Sequence, residues 1–326
     1  MEALYEFGIR LVQAVQNFSP ALDGLMEFFS FLGTIEFYIL IVPLFYWTFS
    51  ASLGMRLLLV LLITDVFGSL LKQLFHQPRP YWLGGVKVLA EESSYGVPST
   101  HASNSLALWV YLAWKEKRGW LWGLATLLIL VIGWSRLYLG VHFPHDVVVG
   151  WLLGAVVVYA FTRLEARFST WARESSSTTL LLVGLAGSAS ILLLGWLVLA
   201  AIAGSPDPER WRSFATLARQ PDHYFTLSGF LFGSVSGYVL MTRQIPFKPA
   251  TGWRMRGASY LLGIAILLLI YLGLDAAFAL LAADDTPLGY TLRFIRYSTV
   301  AFWATYLAPW VFIKLKWVNK TGSLNQ

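Results

Sequence analysis

The chain of 326 residues has no cysteine and few charged side chains. Without cysteine, neither a disulfide framework nor a thiolate metal site can form. Asp, Glu, Lys and Arg make up 13% of the residues, whereas a soluble domain carries roughly a quarter, and 57% of the residues are hydrophobic. The sequence also lacks an internal repeat and a low-complexity tract. These absences exclude an ordinary soluble domain and indicate a membrane protein.

Apolar stretches long enough to cross a bilayer run through most of the chain. A spanning helix needs about 20 mainly apolar residues, because the hydrocarbon core is about 30 Å thick. Residues 1–33 mix charged and apolar side chains, which predicts interfacial amphipathic helices. The predicted fold is an all-α, polytopic integral membrane helical bundle. Its nine predicted transmembrane helices run roughly over 34–50, 55–76, 99–115, 120–140, 143–163, 178–204, 223–242, 255–282 and 290–314.

The strongest break in this pattern is a polar stretch around 164–177, where a charged segment is followed by a Glu-Ser-Ser-Ser-Thr-Thr run. All residues of catalytic character precede it. We therefore expect three segments: interfacial helices in 1–33, a catalytic transmembrane core in 34–163, and four additional transmembrane helices in 164–326.

The formal net charge of +6 could suggest nucleic-acid binding, but the placement of the basic residues argues against it. With nine spans, they fall in alternate loops on one face, which the positive-inside rule makes cytoplasmic. The predicted N-terminus therefore lies outside and the C-terminus in the cytoplasm, with a bacterial inner membrane as the default location. The basic loops carry Arg56, Lys115, Arg118, Arg167, Arg254 and Lys316, and the opposite loops carry Glu91, Glu92, Asp207, Asp222 and Asp284.

Three short segments near the ends of predicted spans carry the candidate chemistry. Following the chain through the predicted spans places all three on the outer, periplasmic side, so residues distant in sequence meet at one membrane surface. The segments are Lys72-Gln-Leu-Phe-His-Gln-Pro-Arg79-Pro80, Pro98-Ser99-Thr100-His101, and Ser135-Arg136-Leu-Tyr-Leu-Gly-Val-His142-Phe-Pro-His-Asp146.

The cations Lys72, Arg79 and Arg136 in these segments suit phosphate binding. Arginine offers a planar fork to phosphate oxygens and lysine a point charge. Ser99 follows a proline and predicts a helix N-cap, and the free N–H groups of a helix N-terminus attract phosphate. His101 lies in the first turn of that helix, directed at whatever the N-terminus binds. An alternative for the basic residues alone is an interfacial anchoring role.

His142 and Asp146 form the most specific pair. The spacing of four residues places them on one helical face, and a carboxylate on one imidazole nitrogen leaves the other nitrogen free to attack. The alternative is a buried His–Asp hydrogen bond that only stabilises the fold. His142, His145 and Asp146 also resemble a short metal-ligand cluster, but the nearby cations would repel a divalent ion, so we predict no metal and no cofactor. His145 and His76 have no evident orienting carboxylate, and we interpret them as structural or as supporting the residues that contact the phosphate.

With these motifs, the chain resembles the type-2 phosphatidic acid phosphatase superfamily, which also includes glucose-6-phosphatase and the vanadium haloperoxidases. The resemblance implies that His142 is the nucleophile and forms a phosphohistidine, while Asp146 orients it. It implies that His101 protonates the leaving oxygen and then activates water, without a metal. The phosphate would be bound by Lys72, Arg79, Ser99, Thr100 and Arg136.

Two features refine the resemblance. Many members carry glycine where this chain has Thr100, and threonine there is similar to the sphingoid-base phosphate phosphatases. Nine spans with an outer N-terminus and the sequence Arg79-Pro80-Tyr81-Trp82 resemble glucose-6-phosphatase, although that class usually lacks an acid at the place of Asp146.

The function predicted first is a membrane phosphatase for lipid phosphates that enter sideways from the outer leaflet, so its partners are the lipid phosphate substrate and membrane lipids. The alternatives are a phosphatase for a soluble sugar phosphate, a lipid diphosphate phosphatase, a phosphotransferase, and a transporter that binds phosphate without turnover. The sequence leaves the oligomeric state open.

Overall fold

The computed structural model describes residues 2–318 as an all-helical chain. In chain order the α-helices are α1 (Glu2–Gln16), α2 (Asp23–Phe31), α3 (Ile35–Thr48), α4 (Ala51–Phe75), α5 (Pro80–Leu83), α6 (Thr100–Glu116), α7 (Gly119–Tyr138), α8 (Pro144–Glu174), α9 (Ser177–Ile202), α10 (Arg212–Ala218), α11 (Asp222–Gln244), α12 (Trp253–Ala279), α13 (Pro287–Phe302) and α14 (Ala308–Lys314). A 3₁₀ turn at Glu209–Trp211 precedes α10, and a π-helical segment, Trp303–Leu307, joins α13 to α14.

The predicted all-α membrane fold is confirmed, but the predicted count of nine spans is not. Among the described residues, six helical stretches are long and apolar enough to cross a membrane, or seven if α2 and α3, bent by 54°, form one broken span. Two predicted spans, 99–115 and 290–314, are not among these stretches. The helix α6 has 17 residues and begins with a polar turn, and α13 has 16 residues.

The described residues form two compact units. The first comprises residues 2–38, 63–164 and 196–220. Within it, α7 packs against α1, α2 and α6. A buried cluster that includes Trp82, Tyr95, Tyr138 and Val141 fills the space beside the end of α7. All the sequence-predicted site residues lie in this unit.

Within the first unit, α8 lies directly on the first turns of α6. A side chain at Gly150 would meet the Ser99 carbonyl oxygen at 2.5 Å, and one at Gly154 would meet the Ser103 carbonyl oxygen at 2.6 Å. Small residues at such positions let helix backbones approach closely. The close approach also allows the Ser99 N–H to donate to the carbonyl of Asp146 at 3.0 Å. The second and third motifs are therefore held together by backbone contact.

The second unit comprises residues 39–62 and 165–195 and the described part of 221–318. Its α11 packs closely on α13 and the π-helical segment, because Gly229, Gly233 and Gly237 face that surface at successive turns. Asp275 of α12 forms an ion pair with Arg296 of α13. The expected division into segments 1–33, 34–163 and 164–326 stays a prediction.

Candidate active site

The turn between α7 and α8 positions His142. Gly140 adopts φ +76, and a side chain there would meet the Lys87 carbonyl oxygen at 2.7 Å, so glycine meets both the conformational and the spatial requirement. The backbone N–H groups of Val141 and His142 each donate to the Arg136 carbonyl at 3.2 Å. The turn is thereby fixed on the last turn of α7, which also carries Arg136.

His142 and Asp146 form the hydrogen-bonded pair that their spacing predicts. Nδ1 of His142 lies 3.1 Å from Oδ2 of Asp146, and both side chains are fully buried. The same carboxylate oxygen accepts the backbone N–H of Phe143 at 2.9 Å. Because Asp146 lies in the first turn of α8, the helix start itself holds the carboxylate against the imidazole.

The other imidazole nitrogen of His142 faces Arg79. Nε2 lies 3.1 Å from Nη1 of Arg79, and a guanidinium has donors but no acceptor. Nε2 must therefore be the acceptor, which leaves the imidazole proton on Nδ1, facing Asp146. Burial, followed by the positive charges of Arg79 and Lys72, lowers the pKa of His142 well below its usual range. The ring is thus neutral, with a lone pair directed at the cations.

Arg79 is fixed by two separate segments of the chain. Its backbone is extended just before Pro80, which opens the short helix α5. The guanidinium donates to the Ser94 carbonyl (2.5 Å) and hydroxyl (3.0 Å), to the Tyr95 carbonyl (3.2 Å), and to the Val141 carbonyl (2.8 Å). A buried guanidinium with this many partners has one orientation. Arg79 is therefore a preorganised cation beside Nε2 of His142.

Lys72, in the last turn of α4, shares the Tyr95 carbonyl with Arg79, since its Nζ donates to that oxygen at 2.6 Å. The Tyr95 ring is held in turn by the segment after α9. Its hydroxyl donates to the Asp207 carboxylate at 2.9 Å and accepts from Nε of Arg219 at 2.9 Å. Burial, together with the nearby Asp207 carboxylate, raises the pKa of Tyr95 to about 12, so the hydroxyl keeps its proton.

Arg136 contacts Glu92, a carboxylate that the sequence predicts only as an outer-loop charge. Its Nη2 forms a salt bridge with Oε1 of Glu92, and its Nη1 donates to the hydroxyl of Ser30 in α2. Glu92 also lies 4.0 Å from Nη2 of Arg79. The Nε of Arg136 is buried and has no hydrogen-bond partner among the described residues.

The second motif opens α6 as predicted. Ser99 is the N-cap, and its hydroxyl accepts the backbone N–H of Ala102 at 3.5 Å. The methyl group of Thr100 packs against Gly68 of α4. His101 lies close enough to Arg136 and Glu92 to interact with them electrostatically. Its Nε2 is buried without a hydrogen-bond partner among the described atoms.

The interpretation of His145 as a residue without a carboxylate partner was wrong. Its Nε2 lies 3.1 Å from Oδ1 of Asp146, while its ring stacks on Phe143 with centroids 5.3 Å apart. Asp146 thus touches two imidazoles, one through each oxygen. His142 is fully buried, whereas the His145 side chain is 23% exposed. Among residues 2–318, no group of three or more His, Asp or Glu side chains could hold a metal ion. Independence from metal stays a prediction.

Sequence reasoning did not place several contacts of the predicted site. Glu92 and Ser94 lie in the loop between the first and second motifs, and Ser30 lies in α2. The signal that could have found Glu92 is charge balance, since three buried cations require a counter-charge besides Asp146. The backbone carbonyls of Tyr95 and Val141 carry no signal in the sequence.

Two family patterns match the chain. The one described as PAP2 superfamily matches residues 53–169, which include all the predicted site residues. The one described as PAP2 superfamily phosphatase, transmembrane extension, matches residues 225–320. The resemblance predicted from the three motifs is thereby confirmed.

Curated relatives include phosphatases of several substrates. Undecaprenyl-diphosphatase of Sulfolobus acidocaldarius is 29% identical over 49% of this chain and 79% of its own length. Sphingosine-1-phosphate phosphatase 1 of Rattus norvegicus is 24% identical over 86% of this chain and 69% of its own length. Glucose-6-phosphatase catalytic subunit 1 of Haplochromis nubilus is 24% identical over 99% of both chains.

Proposed function

The chain carries a PAP2 superfamily domain followed by the transmembrane extension of PAP2 phosphatases, and from this premise we propose a specific reaction. The protein hydrolyses phosphate monoesters of membrane lipids through a phosphohistidine on His142. The observation that carries this proposal is the state of the imidazole. Asp146 binds Nδ1, while Nε2 keeps its lone pair beside the guanidinium of Arg79.

In the first step, Nε2 of His142 attacks phosphorus and the bond from phosphorus to the ester oxygen breaks. The lone pair of Nε2 forms the new P–N bond, and the leaving oxygen takes a proton from His101. Lys72, Arg79 and Arg136 stabilise the charge on the three phosphoryl oxygens. Preorganised cations of this kind are usually the largest contribution to such catalysis.

In the second step, His101 takes a proton from water, and the resulting hydroxide attacks phosphorus. The P–N bond breaks, its electron pair returns to Nε2, and inorganic phosphate leaves. Two unpaired groups support this assignment. Within residues 2–318, Nε2 of His101 has no partner that would hold its proton, and Nε of Arg136 has a donor to spare for a phosphate oxygen.

The lipid character of the substrate is supported by α1. One face of this helix contacts the third motif: Tyr5 lies 5.3 Å from the ring of Phe143, and Gly8 packs against the same ring. Leu4 and Phe7 of the same helix are exposed. An apolar surface beside the site favours a substrate with acyl chains over a free sugar phosphate.

A soluble sugar phosphate is the second candidate, because the match to a glucose-6-phosphatase catalytic subunit extends over 99% of both chains. We expect purified protein in detergent, with a chelator present, to release phosphate from a long-chain lipid phosphate at least about tenfold more efficiently than from glucose 6-phosphate. The measurement is kcat/KM for both substrates at matched detergent concentration. A requirement for Mg²⁺, or equal efficiency with the sugar phosphate, would contradict this proposal.

The active site lies on the outer face of the membrane in this proposal, which takes α6 to cross the membrane between the acidic loop that carries Glu91 and the basic turn that carries Arg118. The absence of native cysteine makes the orientation testable, since a single introduced thiol is the only one in the chain. In intact cells, a membrane-impermeant maleimide is expected to label a Glu91→Cys variant. It should label an Arg118→Cys variant only after permeabilisation, and the reverse pattern would place the site in the cytoplasm.

A further inference from the structure

The Glu92 carboxylate binds the cations that the proposed reaction assigns to phosphate. It forms a salt bridge with Nη2 of Arg136 and lies 4.0 Å from Nη2 of Arg79. Both guanidinium groups are buried, whereas the Glu92 side chain is 27% exposed. Glu92 is therefore the one member of this trio with access to solvent.

Carboxylate and phosphate oxygens use the same donors of a guanidinium. Each Nη of Arg136 carries two N–H groups, so donation to Glu92 and to Ser30 leaves other N–H groups of Arg136 for a phosphate. The competition is one of charge. The Glu92 carboxylate neutralises part of the positive charge that would bind the phosphate, and two anions that share Arg136 repel each other.

We propose that Glu92 is an internal competing anion that phosphate displaces on binding and that returns to Arg136 as product leaves. This inference rests on the proposed function, since it concerns the same phosphate site. In this inference Glu92 acts neither as a nucleophile nor as an acid or base.

The displacement requires movement of a side chain and not of the loop. The backbone of Glu92 is clamped on Tyr81, whose hydroxyl donates to the Glu92 carbonyl at 2.9 Å and accepts the Glu92 N–H at 3.0 Å. Tyr81 is itself buried. With the backbone held, rotation of the side chain towards solvent is enough to release Arg136.

The competitor stays charged across the working pH range. Burial alone would raise the pKa of the Glu92 carboxyl, but the positive charges of Arg136 and Arg79 outweigh burial and hold the pKa well below its usual range. Glu92 therefore opposes every anion equally at neutral pH.

Competition from Glu92 weakens the binding of the product, inorganic phosphate. A site with three buried cations binds inorganic phosphate strongly, and a tightly held product slows turnover. If only the fraction of molecules with Glu92 displaced can bind an anion, the apparent dissociation constant rises by the inverse of that fraction. Glu92 thereby keeps inorganic phosphate from occupying the site between turnovers.

The test uses inorganic phosphate as the probe on the full chain in detergent. We expect Glu92→Gln to bind inorganic phosphate at least about tenfold more tightly than the unaltered protein. Isothermal titration gives the dissociation constant, and inhibition of lipid phosphate hydrolysis gives the matching inhibition constant. Glu92→Asp, which keeps the charge on a shorter side chain, should lie between the two and covers the case in which the glutamine variant does not fold.

The matched control is Glu91→Gln, which removes the same charge from the exposed neighbouring position and should change phosphate affinity less than about twofold. Unchanged or weaker phosphate binding in Glu92→Gln would overturn the inference, because Glu92 would then only hold Arg136 in place. Phosphate binding does not depend on turnover. If Glu92→Gln binds phosphate more tightly but the protein releases no phosphate from any lipid, the proposed phosphatase function is wrong and the competing role of Glu92 still holds.

Discussion

Replacing His142 with alanine is expected to lower phosphate release from a lipid phosphate by at least about 10⁴-fold. The variant lacks the atom that forms the P–N bond. The measurements are kcat and the yield of acid-labile phosphoprotein after a rapid quench with ³²P-labelled substrate. Both should fall to background.

The control for this variant is His145→Ala. His145 contacts the same carboxylate, through the other oxygen, but is partly exposed and does not face Arg79. Its loss should reduce kcat less than about tenfold, because the Nδ1 bond of His142 remains. A labelled phosphoprotein that persists in His142→Ala would mean that another residue is the nucleophile.

Replacing Asp146 with asparagine is expected to lower kcat by about 10³-fold or more, although the two side chains have nearly the same shape. Oδ2 of Asp146 contacts both the Phe143 N–H and Nδ1 of His142, so an asparagine oxygen at the same place can accept from both groups and keep the tautomer. The variant loses the negative charge beside an imidazole that becomes cationic when Nε2 bonds phosphorus. The loss of kcat therefore measures how much the carboxylate charge stabilises the phosphohistidine.

The matched control for the carboxylate change is Asp23→Asn in α2. Asp23 accepts a hydrogen bond from the Tyr138 hydroxyl at 2.6 Å, and an asparagine oxygen can still accept it. Its kcat should stay within about twofold, while both variants keep similar unfolding temperatures in detergent. An Asp146→Asn variant that retains most of its activity would show that the charge of this carboxylate does not stabilise the phosphohistidine.

The span count shows where composition alone is insufficient. Hydropathy identified the long apolar helices α8, α9 and α12, because their residues are apolar over more than the thickness of a bilayer. It also predicted spans at 99–115 and 290–314, which are not among the candidate spans of the described residues. The structure has the 17-residue α6 at the first, and α13, the π-helical segment and α14 at the second. In α6 the first turn is polar because it carries the second motif. A helix whose first turn carries polar site residues has fewer apolar residues that can lie in the hydrocarbon core.

The sequence by itself determined the helical membrane class, the three motifs and the His142–Asp146 pair. These are local properties: apolar runs specify a class, and a spacing of four residues at a helix start brings two side chains together without help from the rest of the fold. The three cations could be identified from the sequence because the binding of a phosphate group requires several positive charges.

Only the tertiary structure decided which partners these groups have. Arg136 pairs with Glu92 across 44 positions, and Arg79 faces His142 across 63, distances that no periodicity encodes. The tautomer of His142 and the competition at Arg136 both follow from those two contacts. Both contacts form because the packed helices bring separate loops together. This arrangement exists only when the buried side chains of the whole unit have packed.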